Sequence, residues 1–138
     1  MALVVDASVA AKWVFAESHD EIVLRLVLSG ERFAAPDLIW AELANIAWKR
    51  VRRAAIAPRE AAEALAELRR LPIEVHAGGP LAEASLELAL ALEITCYDAL
   101  YLALAERLDL PLVTADRRFF EAAAKRGSRR RALWIGDL

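Results

Sequence analysis

The 138-residue chain has one cysteine, two histidines and no surplus of positive charge, and each shortage removes a class of function. A lone cysteine, Cys96, forms no internal disulfide and fits a reducing compartment. With Thr95 and Tyr97 beside it and no histidine nearby, it reads as a buried structural thiol. His19 and His76 are too few and too far apart for a histidine-based ribonuclease or a zinc site, and both read as ordinary loop or strand residues. The formal net charge of −2 argues against a generally basic nucleic-acid binder. No uninterrupted apolar stretch approaches the ~20 residues of a membrane span. No charged leader precedes an apolar core, so the expectation is a soluble, cytoplasmic protein without a signal peptide or membrane contact. Repeats, low-complexity tracts and linkers are also missing, and residues 1–138 are expected to form a single domain.

What the chain has in excess is apolar residues, 58% of the total, against roughly 45–50% in ordinary globular chains. Alanine and leucine supply much of that excess, which predicts many tightly packed helices and some apolar surface covered by another chain. Trp13, Trp40, Trp48 and Trp134 are candidates for that surface, with core packing the commoner use of each. Positive charge is clustered. Lys49, Arg50, Arg52 and Arg53 read as a solvated helix end. Arg117 and Arg118, and the group Lys125, Arg126, Arg129, Arg130 and Arg131, read equally as solvated surface or as contacts to an RNA backbone.

Strand and helix patterns alternate. Leu3–Val5, Phe33–Ala35, Pro72–His76 and Leu110–Thr114 read as strands, with 132–135 as an edge strand. Helices are predicted over Ala7–Phe15, Glu21–Leu28, Asp37–Arg53, Pro58–Arg70, Leu81–Leu92, Thr95–Leu108 and Arg117–Lys125. Such alternation predicts a three-layer α/β/α fold around a mostly parallel central sheet. Ligands of such sheets bind beyond the carboxyl ends of the strands. Asp6 and Asp116 each follow a buried strand, so both are expected at that edge.

Four acidic residues stand in apolar sequence, where an unpaired carboxylate is costly. Asp6 follows Leu3-Val4-Val5 and Asp116 follows Leu-Val-Thr-Ala at 112–115; each is either a helix cap or a ligand-binding carboxylate. Glu42 lies in the apolar helix 37–48, where an inward-facing glutamate needs a cation, a donor or a proton. Asp98 completes the capping-box pattern Thr95-Cys-Tyr-Asp98, yet no charged residue follows it until Glu106. Ser8, Asn45 and Thr114 are polar companions able to orient a carboxylate or simply to cap and turn the chain. If the four acids converge, a hard divalent cation and phosphodiester hydrolysis are the fitting occupant and chemistry.

The ordered set Val-Val-Asp-Ala-Ser at 4–8, Pro-Asp-Leu-Ile-Trp-Ala-Glu-Leu-Ala-Asn at 36–45, Tyr-Asp-Ala-Leu-Tyr-Leu-Ala-Leu-Ala at 97–105 and Leu-Val-Thr-Ala-Asp at 112–116 resembles the PIN domain. Within it, the chain looks most like the VapC-type toxins of toxin–antitoxin pairs. The resemblance covers essentially the whole chain, and its specificity lies in the ordered set rather than in any one short motif. It implies a PIN-like fold and a magnesium- or manganese-dependent endoribonuclease, inhibited by a cognate VapB-type antitoxin and assembled as a homodimer. It matches Asp6, Glu42, Asp98 and Asp116 to the family's acidic quartet, with Ser8 or Thr114 as the supporting hydroxyl. By that resemblance Asp6, Asp98 and Asp116 are metal ligands, and Glu42 binds a second ion or positions the attacking water.

A haloacid-dehalogenase-like phosphatase wants a second aspartate two residues after the first, where Ser8 stands. A receiver domain wants paired acids at the first strand end, where Asp6 is alone. A non-catalytic PIN-like module that binds RNA or protein is the remaining alternative, and it predicts a broken quartet.

Overall fold

A computed structural model of the chain describes residues 2–15, 20–125 and 132–138. Its centre is a sheet of five strands: β1 (Ala2–Val5), β2 (Arg32–Pro36), β3 (Ile73–His76), β4 (Leu112–Thr114) and β5 (Ala132–Trp134), in the order β3-β2-β1-β4-β5. Every pairing is parallel. The predicted parallel α/β architecture is therefore present. Helices α1 (Ala7–Ala10), α2 (Asp20–Leu28), α3 (Leu38–Arg52), α4 (Pro58–Leu68), α5 (Ala82–Leu92), α6 (Cys96–Leu108) and α7 (Arg117–Ala124) surround it.

Side chains alternate across the strands with period two, so β1 feeds two cores. Leu3 and Val5 join Phe33, Val113, Val23 and Ile135 on one face. Val4 joins Ala34, Leu112, Ile39, Leu43 and Leu102 on the other. The second core is the larger, and its helices α3 and α6 carry Glu42 and Asp98. Helix α6 is the most enclosed: Ala99 and the run Tyr101–Ala105 are all buried. This enclosure explains why no charge interrupts its sequence between Asp98 and Glu106.

The expected helix Ala7–Phe15 divides into α1 and a 3-10 turn at Ala11–Trp13, where Trp13 Nε1 donates to the Val23 carbonyl at 3.0 Å and ties the turn to α2. Helix α2 ends at Gly30, whose φ of +77° suits a residue without Cβ. Helix α5 ends on Glu93 at φ +56°, an uncommon state for a side-chain-bearing residue, and the chain turns through 114° into α6. Among the described residues no single helix is long and apolar enough to cross a membrane.

The topology places the site. Strands β1 and β4 are central neighbours although far apart in sequence, so the segments leaving their carboxyl ends, with Asp6 and Asp116, emerge side by side. Helix α3 leaves the same edge after β2. Helix α6 leads into β4 from the opposite direction, so its first turn lies at this edge too. Two strand ends and two helix starts thereby meet where ligands of parallel sheets bind.

Candidate metal and active site

Asp6 is 6% exposed and receives three hydrogen bonds. Ser8 Oγ and Val9 N–H donate to Oδ1 at 2.5 and 3.1 Å, and Thr114 Oγ1 donates to Oδ2 at 2.5 Å. The two hydroxyls accept in turn: Ser8 Oγ from Ala115 N–H and Thr114 Oγ1 from Asp116 N–H, both at 3.0 Å. One carboxylate thus ties the start of α1 to the segment between β4 and α7. Burial nonetheless raises the Asp6 pKa from 3.8 to about 6, with the Asp98 charge adding to the rise. Asp6 caps α1 through one oxygen, which accepts the Val9 N–H, while its other oxygen accepts from Thr114.

Glu42 enters from α3. With Asn45, Ile46 and Lys49 it occupies positions i, i+3, i+4 and i+7, a single helical stripe. Tyr101 Oη donates to Glu42 Oε1 at 2.6 Å. Burial raises the Glu42 pKa, the Tyr101 bond opposes that rise, and the charges of Asp6 and Asp98 reinforce it. Tyr101 is 1% exposed, and burial together with the neighbouring Glu42 pushes its own pKa far above the usual phenol range. It therefore stays protonated and serves as a fixed donor.

Asp98 sits in the first turn of α6. Its N–H donates to Thr95 Oγ1 at 3.1 Å, which is one half of a capping box. The reciprocal bond from the Asp98 carboxylate to the cap backbone is not made among the described residues, so that carboxylate is left to face the other acids. Burial and then the charge of Asp116 raise its pKa. Asp116 is exposed and caps α7, accepting from Phe119 N–H at 3.1 Å.

These four carboxylates, with Ser8, Asn45, Lys49 and Tyr101, line one open cavity of about 210 Å³. Three of the four bear raised pKa values in which a neighbouring acid takes part. An all-oxygen donor set with unrelieved mutual repulsion is the environment a hard cation relieves. Among the described residues no three His, Cys, Asp or Glu side chains are gathered tightly enough to hold an ion as they stand. That open spacing suits a cation that keeps several waters, touching some carboxylates and reaching the others through water. The residues present therefore fit a hydrated divalent ion.

The basic residues divide. Arg117 lies 5.4 Å over the Phe120 ring and 5.0 Å over Trp134, and its Nε is 3.4 Å from Glu121. It packs α7 against β5. Arg118 and Lys125 face a second cavity that also borders Asp98 and Asp116. Arg126, Arg129, Arg130 and Arg131 fall outside the described residues, as does His19. Lys49, exposed in the last turn of α3 as expected of a solvated helix end, also lines the acidic cavity, and Arg50 is half-buried with its guanidinium 4.4 Å above Phe15. Cys96 corrects the expectation of a buried thiol. It is exposed, because the residue after the Thr95 cap begins α6 on its outer side. Tyr101 was missing from the expected site, although its place three residues after Asp98 puts both on one helical face.

The chain as a whole is similar to known proteins. The PIN domain family model matches residues 3–125. Ribonuclease VapC3 of Pyrobaculum aerophilum is 37% identical over 123 residues, covering 88% of this chain and 94% of that protein. The crystal structure of PAE2754, also from Pyrobaculum aerophilum, superposes with a TM-score of 0.73 at 25% identity over 99% of this chain and 94% of its own. VapBC2 from Rickettsia felis, solved bound to a DNA fragment from its promoter, has the same fold, with a TM-score of 0.66 at 17% identity over 97% of this chain and 98% of its own.

Proposed function

The chain belongs to the PIN-domain family, within its VapC-type ribonucleases, and from that premise we propose that Asp6, Glu42, Asp98 and Asp116 form the catalytic centre of a metal-dependent endoribonuclease. The observation that carries this reading is the convergence of four carboxylates on one cavity at the carboxyl edge of the sheet. Magnesium, or manganese in its place, would be held by Asp6, Asp98 and Asp116, with Glu42 beside them. Such an ion supplies neutralisation of the phosphodiester charge and activation of water for attack on phosphorus.

The protein's own groups do the rest. Asp6, held by Ser8, Thr114 and Val9, cannot swing away from the cavity. Asp98 reaches it from the first turn of α6 and Asp116 from the N-cap of α7. Glu42, kept in place by Tyr101 and raised in pKa, is the acceptor for the proton leaving the attacking water. Lys49 and Asn45 at the rim offer donors to the non-bridging phosphate oxygens.

The protein acts as the toxin of a pair, its cleavage restrained in the cytoplasm by a VapB-type antitoxin, and it forms a homodimer. Exposed apolar side chains support contact with other chains: Leu28 is 76% and Leu90 75% exposed, and Leu24, Leu86, Trp48 and Tyr97 are more than half exposed.

The test is incubation of the purified protein, freed of any partner, with total cellular RNA, with magnesium or manganese and then with chelator, beside Asp98→Asn. Discrete, metal-dependent fragments from the unmodified protein alone are expected. RNA that is bound and left intact under every metal would replace the nuclease with the binding module.

A further inference from the structure

A second cavity, of about 400 Å³, opens beside the acidic one and shares two of its walls, Asp98 and Asp116. Its size lies within the ~300–1,000 Å³ range of ligand sites. One side is the α5–α6 turn, with Leu92, Ile94 and Thr95. The other is α7, which presents Arg118, Ala122 and Lys125 at positions i, i+4 and i+7 of one face. Two apolar side chains on one wall and two cations on the other make an amphipathic slot. Glu93 and Glu121 also border it, but Glu121 is engaged by Arg117 on the neighbouring face. Among the described residues neither Arg118 nor Lys125 makes an ion pair, and both are exposed.

We propose that this slot is the substrate subsite for the ribonucleotide adjoining the scissile phosphate, with Arg118 and Lys125 holding the next phosphate and Ile94 and Leu92 lying against the base. The inference rests on the nuclease reading and adds direction to it. An RNA strand crossing from one cavity to the other passes over Asp98 and Asp116, so its scissile phosphate lies at the shared wall. The adjoining phosphate then falls toward α7 rather than toward α3. Adjacent arginines are separated by the same geometry: Arg118 reads the substrate, whereas Arg117 is committed to Phe120 and Trp134.

Arg118→Ala/Lys125→Ala and Arg117→Ala are to be compared with the unmodified protein on a short random-sequence single-stranded RNA pool. Metal-dependent cleavage gives KM and kcat. The same changes in an Asp98→Asn background, where RNA survives, give affinity against salt. The slot predicts that the double variant raises KM and weakens binding by about tenfold or more, and flattens the salt dependence by roughly 0.7 in log–log slope, as expected when one phosphate of a single strand is no longer neutralised. Its kcat should remain within about threefold, and Arg117→Ala, which acts on the slot only by freeing Glu121 at its border, should weaken binding less than the double variant.

Cleavage and binding unchanged in the double variant would overturn the slot and leave the nuclease intact. Unchanged RNA binding with weakened capture of the co-purified antitoxin would also overturn it, assigning the slot to a protein. An unmodified protein that never cleaves would overturn the nuclease reading, and the binding arm would then show whether the slot holds RNA. Both altered side chains are exposed, so a melting temperature near that of the unmodified protein is expected and separates lost contacts from lost fold.

Discussion

Asp98 carries charge where the fold gains little from it. Its carboxylate caps nothing, its pKa is raised by burial and by Asp116, and the neutral asparagine preserves its shape. Asp98→Asn should therefore lower cleavage by at least ~100-fold while leaving the metal-free protein equally or more stable, the usual opposition between a strained site and stability. A melting temperature well below that of the unmodified protein would show Asp98 to be a structural cap instead. Tyr101→Phe tests the opposite case. It removes the one described donor to Glu42, leaving a half-buried acceptor unsatisfied at a cost of about 1–3 kcal/mol. The Tyr101 bond holds the Glu42 pKa down, so its loss should raise that pKa further and move the acid limb of the pH–rate profile to higher pH. An unmoved limb would mean that Glu42 is not the proton acceptor. At this scale the sequence was legible wherever an acid stood against its surroundings, as at Glu42 in the middle of an apolar helix. It places Tyr101 on the face of Asp98 but not its hydroxyl on Glu42, because a tyrosine in an apolar helix looks the same whether its hydroxyl meets water or a carboxylate. Cys96 was misread for a related reason: apolar neighbours in sequence do not say on which side of a helix start a residue falls.

Between elements, the clamp at Asp6 is the critical joint. Ser8 and Thr114 each donate to Asp6 and accept from the chain beyond β4, so α1 and α7 are set relative to one another by two hydroxyls. Thr114→Val keeps the β-branched shape and the burial but strands an oxygen of Asp6 and the Asp116 N–H. The expected loss of stability near neutral pH is about 1–3 kcal/mol, measurable by denaturant unfolding. The loss should shrink toward pH 5, where Asp6 takes up a proton and no longer presents a charged oxygen. An equal loss at both pH values would show that packing, not the carboxylate, is what Thr114 serves. Strand and helix order were readable from the alternation of β-branched runs and capped apolar helices, and the parallel sheet followed from it. Ser8 and Thr114 were readable as hydroxyls that support a carboxylate, but not that Thr114 serves Asp6, since the two meet only when β1 and β4 become neighbours.

For the molecule as a whole, the raised carboxylates make stability depend on pH in a defined sense. Between 3.8 and about 6 the native Asp6 keeps a proton that the unfolded chain has already released, so stability falls as pH rises through that window. Full ionisation of Asp6 costs on the order of 3 kcal/mol, and the upward shifts of Glu42 and Asp98 act in the same direction. In chelator, the protein should melt at a higher temperature near pH 5 than near pH 7. Added magnesium should recover much of the difference at the higher pH in the unmodified protein and little of it in Asp98→Asn. A metal-free melting temperature that climbs from acid to neutral pH would contradict the burial of these groups as charged species. The exposed cysteine has a use that the fold itself makes available. Cys96 is the chain's sole thiol, exposed, and stands next to Thr95 and two residues before Asp98, both of which line the larger cavity. A maleimide dye or spin label attached there needs no engineered position and no removal of competing cysteines. It would report, as a change in emission or line shape, whenever a strand of RNA or a protein partner arrives at the first turn of α6.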